Sequence, residues 1–378
     1  MPPVTFYYPF AEEIEQLPEL SLDDWRPWCH PRLSRRRAWI IQTFLRLQAA
    51  GYPISISPVL PASGIVVLLP DREMRHSFLR IGSSRLRRLF IVSVRADISG
   101  FRQFFADAEI VQNGKFADER TSYFVPHWPQ PAIIPRAESR GSRIEVVAYK
   151  GRTGSLVKEF RSEAWHRRMD DLGVRFVLDS PSSSDLPNWH DYSDIDLVLA
   201  VRTDFGDGKL RCEKPASKLI NAWHAGVPAL LGKEYAYREL RKSPLDFIEV
   251  ESATEAADAV ARLFENPAEY DAMRERGRTR AAEFTPDRIV ERWAEVLFER
   301  LPEVARRRRI RFSPAVPFGV RKLINFVTSP PSPYEARKLI GSIARTQSEK
   351  VRIPPTSVAE ADALTPSAGH INPPLDDQ

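Results

Sequence analysis

Short runs of β-branched and other apolar residues alternate with longer helix-patterned stretches along most of this chain, and they do so in two series. A strand buried on both faces reads as continuous apolar sequence, and the helix after it returns the chain to start the next parallel strand. The alternation therefore predicts βαβ units and parallel sheets. In the first series the predicted strands are residues 5–10, 54–56, 65–69, 89–94 and 109–111. Residues 35–50 fit a helix with Ser34 as N-cap and Gly51 past its end, and residues 72–79 fit a short polar helix.

Between residues 122 and 143 the pattern dissolves around Pro126, Pro129, Pro131 and Pro135, which reads as a linker. A second series follows, with strands at 143–149, 174–178, 195–201, 228–231 and 247–250. Helices are expected at 155–172, closed by Gly173, at 215–225, closed by Gly226, and at 252–264 and 267–283. Thr285-Pro286 supplies an N-cap and a proline at the first helical position, opening a helix over 287–300. At 378 residues, length also points to about two domains.

The 55 basic and 50 acidic residues leave a net charge of +5, too even a balance for a dedicated nucleic-acid binder. Cys29 and Cys212 give no metal-ligand spacing. Their pairing stays open, but so few cysteines fit a reducing compartment. Residues 1–10 lack the pattern of a signal peptide, and no run nears the ~20 apolar residues that span a bilayer. A cytoplasmic location is the expectation.

Open parallel sheets bind ligands beyond the carboxyl ends of their strands, beside helix N-termini. Lys150 and Arg152 follow one predicted strand, and Arg202, Thr203 and Asp204 follow another. In Lys214-Pro215-Ala216-Ser217-Lys218 a loop turns into a helix. With Pro215 at the first helical position, the free N–H groups of the first turn form an anion site. Lys214 and Lys218 add charge there and Ser217 a hydroxyl, although a Lys-Pro at a helix start and water-facing lysines are common without any ligand.

The stretch Glu-Lys-Pro-Ala-Ser-Lys from Glu213, followed by Gly226-Val227-Pro228, resembles the donor site of retaining, two-Rossmann-domain (type B) glycosyltransferases. That family carries a Glu-x7-Glu motif. Glu213 stands at the first position and Asn221 at the second. The loop Lys150-Gly151-Arg152 is similar to the family's basic pair, and the helix over 287–300 to its crossover helix. The resemblance implies an α/β fold of two Rossmann-like domains facing across a cleft. Its parts are an acceptor domain at 1–135, a nucleotide-sugar domain at 136–285, a crossover helix at 286–328 and a mostly disordered tail at 329–378. It implies transfer of a sugar from a nucleoside diphosphate donor to a glycan or lipid-linked acceptor, with surface polysaccharide assembly as a setting. Glu213 would contact the sugar; Lys218, Lys150 and Arg152 would neutralise the diphosphate. Lys214, Ser217, Gly151, Arg202 and Asn221 would complete the donor site, Asn221 holding the ribose without charge. No cofactor and no metal are implied.

Asp194-Ile195-Asp196 has a metal-binding form but leads into a buried strand. Trp189 and His190 fit either a stacking platform or a loop anchor. Asp97, past a strand end, and His30 are candidate acceptor-side groups, though a lone Asp at such an end is more often an N-cap and a structural role is likewise favoured for His30. His127 fits a packed linker residue. Arg306, Arg307, Arg308 and Arg309 suit either a solvated helix end or an anionic lipid surface, where each would contribute ~1 kcal/mol. Two rival readings remain: a nucleotide-sugar epimerase, and an inactive nucleotide-sugar-binding or scaffold protein, which Asn221 favours.

Overall fold

The computed structural model describes residues 2–29, 34–70, 88–96, 106–180, 186–202 and 214–311. Two parallel sheets form, giving the α/β class. The first has the order β2-β1-β3-β4-β5-β6, from β1 (Val4–Tyr7), β2 (Ile54–Ser57), β3 (Gly64–Leu68), β4 (Leu89–Arg95), β5 (Ala108–Val111) and β6 (Ser122–Phe124). The second has the order β11-β10-β9-β7-β8, from β7 (Val146–Lys150), β8 (Arg175–Asp179), β9 (Leu197–Ala200), β10 (Ala229–Leu231) and β11 (Ile248–Glu249). Every predicted strand pairs parallel to its neighbours. β3 and β7 are wholly buried, which is why both read as apolar runs, β7 up to Lys150 at its end. Gly64 opens β3 at φ +114°, where a Cβ would lie 2.5 Å from the Pro3 carbonyl oxygen.

Three expectations are corrected. Ser122–Phe124, placed in the linker, is a sixth strand paired to β5. The single helix over 155–172 is two 3₁₀ turns, Thr153–Ser155 and Lys158–Arg161, before α3 (Glu163–Asp171). Ser162 caps α3 by accepting from the Trp165 N–H, and Leu156 bridges to Arg202, so the chain is held flat against β9 before it coils. The helix over 35–50 forms, but Ser34 is its first residue and not its N-cap; as α2 it runs through Ser34–Arg36, a π-helical Arg37–Ile41 and Gln42–Ala49, and α1 is the turn Ala11–Glu15. The helix predicted at 72–79, and the tail from residue 312, lie outside the described residues.

Thr285 caps the last long helix and Pro286 stands at its first position, as predicted. It runs through Pro286–Ala294, Glu295–Arg300 and Leu301–Arg311 and packs on the first sheet, although it follows the second. Ile289, Trp293, Val296, Leu297 and Leu301 are buried in that core. Phe298 stacks on Tyr52 at 5.2 Å, and Arg292 donates to the Phe124 carbonyl and to both oxygens of Glu119. Trp293, fully buried against Phe6, is the main wedge. Trp293→Ala should cost about 3–5 kcal/mol, read as a lower urea midpoint; a loss under about 1 kcal/mol would show that this helix does not help hold the first core.

Candidate functional site

Both sheets share one topological feature. β1 lies between β2 and β3, and β7 lies between β8 and β9, so the crossovers leave to opposite sides. Open parallel sheets bind ligands at such switch points, beyond the carboxyl ends here of β1/β3 and of β7/β9. The predicted donor residues gather at the second of these.

Lys150 ends β7, and its ammonium donates to Asp179 Oδ2 at 3.0 Å and to the Asn188 carbonyl at 2.8 Å. Arg202, just past β9, pairs with Glu234 at 2.7 Å. Asp179 ends β8 and Glu234 follows β10, so both carboxylates also sit on the carboxyl edge. Sequence reasoning missed them, although their position just past apolar runs was a usable signal. Each pair is nearly neutral, as burial demands.

Lys218 is the cation left over. It is the second residue of α4 (Ser217–Ala225), donates to the Lys150 carbonyl and lies 4.7 Å above the centre of the Tyr149 ring. Gly151 makes room for it: a Cβ there would sit 2.6 Å from Lys218 Nζ and 2.9 Å from the Tyr149 hydroxyl. Burial pushes the Lys218 amine down to about 7, helped by the Arg202 and Lys150 charges and opposed by Glu234 and Asp179.

Pro215 is not the first helical residue, which corrects the expected start of this helix. Ala216 is the N-cap, with ψ of 25° breaking the helical run, and its side chain is buried in the core. The open amides of the first turn are therefore those of Ser217, Lys218 and Leu219. Gly226 closes α4 in the left-handed region, at φ 66°.

Asn221, one turn past Lys218, accepts from the Gln130 N–H at 2.9 Å and bonds to the buried Tyr192 hydroxyl. Arg152 is exposed, while Lys214 and Ser217 are half-buried. Glu213, Asp97 and His30 lie outside the described residues. Asp196 is a structural anchor. Burial favours its neutral form, but Arg140, two backbone N–H groups and Arg136 outweigh that and hold its carboxyl below the ordinary range. Among the described residues no group of three or more His, Cys, Asp or Glu side chains could hold a metal.

Loops beyond the two carboxyl edges touch. Trp25 stacks on His190 at 4.2 Å and 7°, and Trp189 donates to the Asp179 carbonyl, so the structure supports the loop-anchor reading of that pair. Gly114, past β5, donates to Glu239 on α5 (Tyr235–Leu240), whose carboxyl burial pushes up to about 7 against the pull of the Gly114 and Lys115 amides. His127 packs edge-on against Trp39.

No family model and no curated protein matches the chain. Among solved structures it is similar to Anabaena HepE in complex with UDP-glucose, at 12% identity and TM-score 0.46 over 79% of this chain and 99% of that one. A glycosyltransferase from Rickettsia africae gives 10% and 0.47, over 79% and 90%. TarM gives 12% and 0.43 over 68% of this chain, which spans only 58% of TarM's length.

An amine whose folded pKa lies below its unfolded one binds fewer protons when folded. Stability should therefore rise as pH climbs from about 7 toward the ordinary lysine value of 10.5. Lys218→Met should flatten that rise in urea unfolding across the interval; an unchanged slope would disprove the buried, uncharged amine.

Proposed function

We propose that this chain is a glycosyltransferase that binds a nucleoside diphosphate sugar at the β7/β9 switch point. The observation that carries the reading is Lys218: a cation without a matching carboxylate among the described residues, at the start of α4, with Gly151 kept bare beside it. A diphosphate supplies the missing negative charge and accepts from the first-turn amides. The sequence resemblance points to the same residues.

In the reaction the bond from the sugar's anomeric carbon to the diphosphate oxygen breaks. An acceptor hydroxyl oxygen bonds to that carbon, and its proton passes to solvent or to the diphosphate. The protein's part is to stabilise charge on the leaving diphosphate. Lys218 does this directly once protonated, Arg152 from the exposed side, and Lys150 from behind, its charge shared with Asp179. Lys214 and Ser217 flank the phosphates, Arg202 orients Glu234 beside them, and Glu213 holds the sugar. Basic groups and the helix dipole take the place of a metal, and no cofactor is required. Arg306 and Arg307, exposed on the last helix, suit contact with an anionic membrane from the cytoplasmic side; among the described residues no helix is long and apolar enough to cross one.

UDP and UDP-glucose are the first probes. Lys218→Ala should weaken UDP binding about 10- to 100-fold, the worth of one charge-assisted contact, with unchanged circular dichroism. Equal affinity in calorimetry would remove Lys218 from the site, and with it the reading. Turnover should persist in EDTA; its loss there would refute a metal-free mechanism.

Asn221 favours a second reading, binding without turnover, because its amide oxygen is already engaged by Gln130. UDP-glucose that raises the melting temperature yet is neither hydrolysed nor transferred to any sugar acceptor would select it.

A further inference from the structure

Residues 24–29, from the first series of elements, reach the loop at 188–192 that leads into β9 of the second sheet. Trp25 stacks flat on His190, and the Trp189 backbone N–H donates to Cys29 Sγ. Gln130 ties this segment to α4: its Nε2 donates to Cys29 Sγ at 3.4 Å and its backbone N–H to Asn221 at 2.9 Å. The same loop carries donor-edge contacts. Lys150 donates to the Asn188 carbonyl, and the Tyr192 hydroxyl bonds to Asn221, one turn past Lys218. A ligand with its diphosphate at Lys218 and its ribose at Asn221 therefore meets Gln130, and through it Cys29 and residues 24–29, at its nucleoside half.

The segment is firmly fixed at one end only. Trp28 is buried in the first core and donates to the Ser21 carbonyl at 2.9 Å, and Arg37 donates to the Pro27 carbonyl at 2.8 Å. Trp25, half-buried, precedes nothing longer than the 3₁₀ turn Arg26–Trp28. It can swing while Trp28 stays in place. His190 is buried, yet its Nδ1 has no hydrogen-bond partner, a cost that folded proteins rarely carry. Stacking, not hydrogen bonding of that nitrogen, holds the ring.

We infer that residues 24–29 are an autoinhibitory strap: with Trp25 on His190, the strap and Gln130 close the nucleoside half of the donor site, and a nucleotide binds by lifting Trp25 away. The inference rests on the donor-site reading above. Closure lowers the apparent nucleotide affinity by the fraction of open molecules.

Calorimetry on the full chain with UDP and with inorganic pyrophosphate tests it. Trp25→Ala should tighten UDP binding about 3- to 10-fold, the worth of one aromatic stack, and Trp25→Phe should tighten it less. Pyrophosphate affinity should not change, because the strap's contacts fall at Asn221 and the loop 188–192, not at Lys218. In the wild-type chain, UDP should speed amide hydrogen exchange across residues 24–29. UDP binding that Trp25→Ala leaves equal or weakens, an equal gain for pyrophosphate, or slower or unchanged exchange on UDP addition would overturn the strap and keep the donor site. UDP bound by neither wild type nor Trp25→Ala refutes the donor-site reading itself.

Discussion

The strand order around β1 and β7 is the constraint on which the remaining chemistry depends. Each strand is the first of its series and is flanked by its second and third, so the following crossovers must leave in opposite directions. The strand-end residues are delivered to the point where they part from both sides. The two switch points carry different chemistry. Among the described residues, cations and carboxylates gather at the second, and Tyr7, Tyr8 and Phe10 at the first.

Burial turns the second-sheet switch point into a charge problem. Lys150 and Arg202 can be held away from water only because Asp179 and Glu234 end the neighbouring chain segments. Lys218 has the aromatic face of Tyr149 and a backbone carbonyl instead of a carboxylate, and the loss of water around it lowers the amine's pKa. Gly151 belongs to the same arrangement, since any side chain there would displace the lysine. The last helix fixes the frame by returning from the second sheet to bury Trp293 in the first.

Much of the fold was legible from residue patterns. Continuous apolar runs gave the strands because parallel strands are covered on both faces, and Thr285-Pro286 gave a helix start through local capping. Misreadings arose where tertiary contacts overruled local preference. Apolar periodicity over 155–172 suggested one helix, but Leu156 is held by Arg202 and coiling waits for Ser162. Proline's fixed φ suits a first helical residue, yet Ala216, with ψ of 25°, is the N-cap and the helix starts at Ser217. A three-residue edge strand such as Ser122–Phe124 is too short to show a period.

Of the site, the sequence by itself determined the cations and the glycine: Lys150, Gly151, Arg202 and Lys218 stand at strand ends and a helix start that local patterning reveals. Only the tertiary structure decided which of those charges are already matched. Asp179 and Glu234 reach Lys150 and Arg202 from other strand ends, 29 and 32 residues away. It also decided that Asn221 faces Gln130. Local sequence sets what a residue can do, through backbone preference and side-chain chemistry; distance along the chain carries no information about which partner the folded sheet brings beside it.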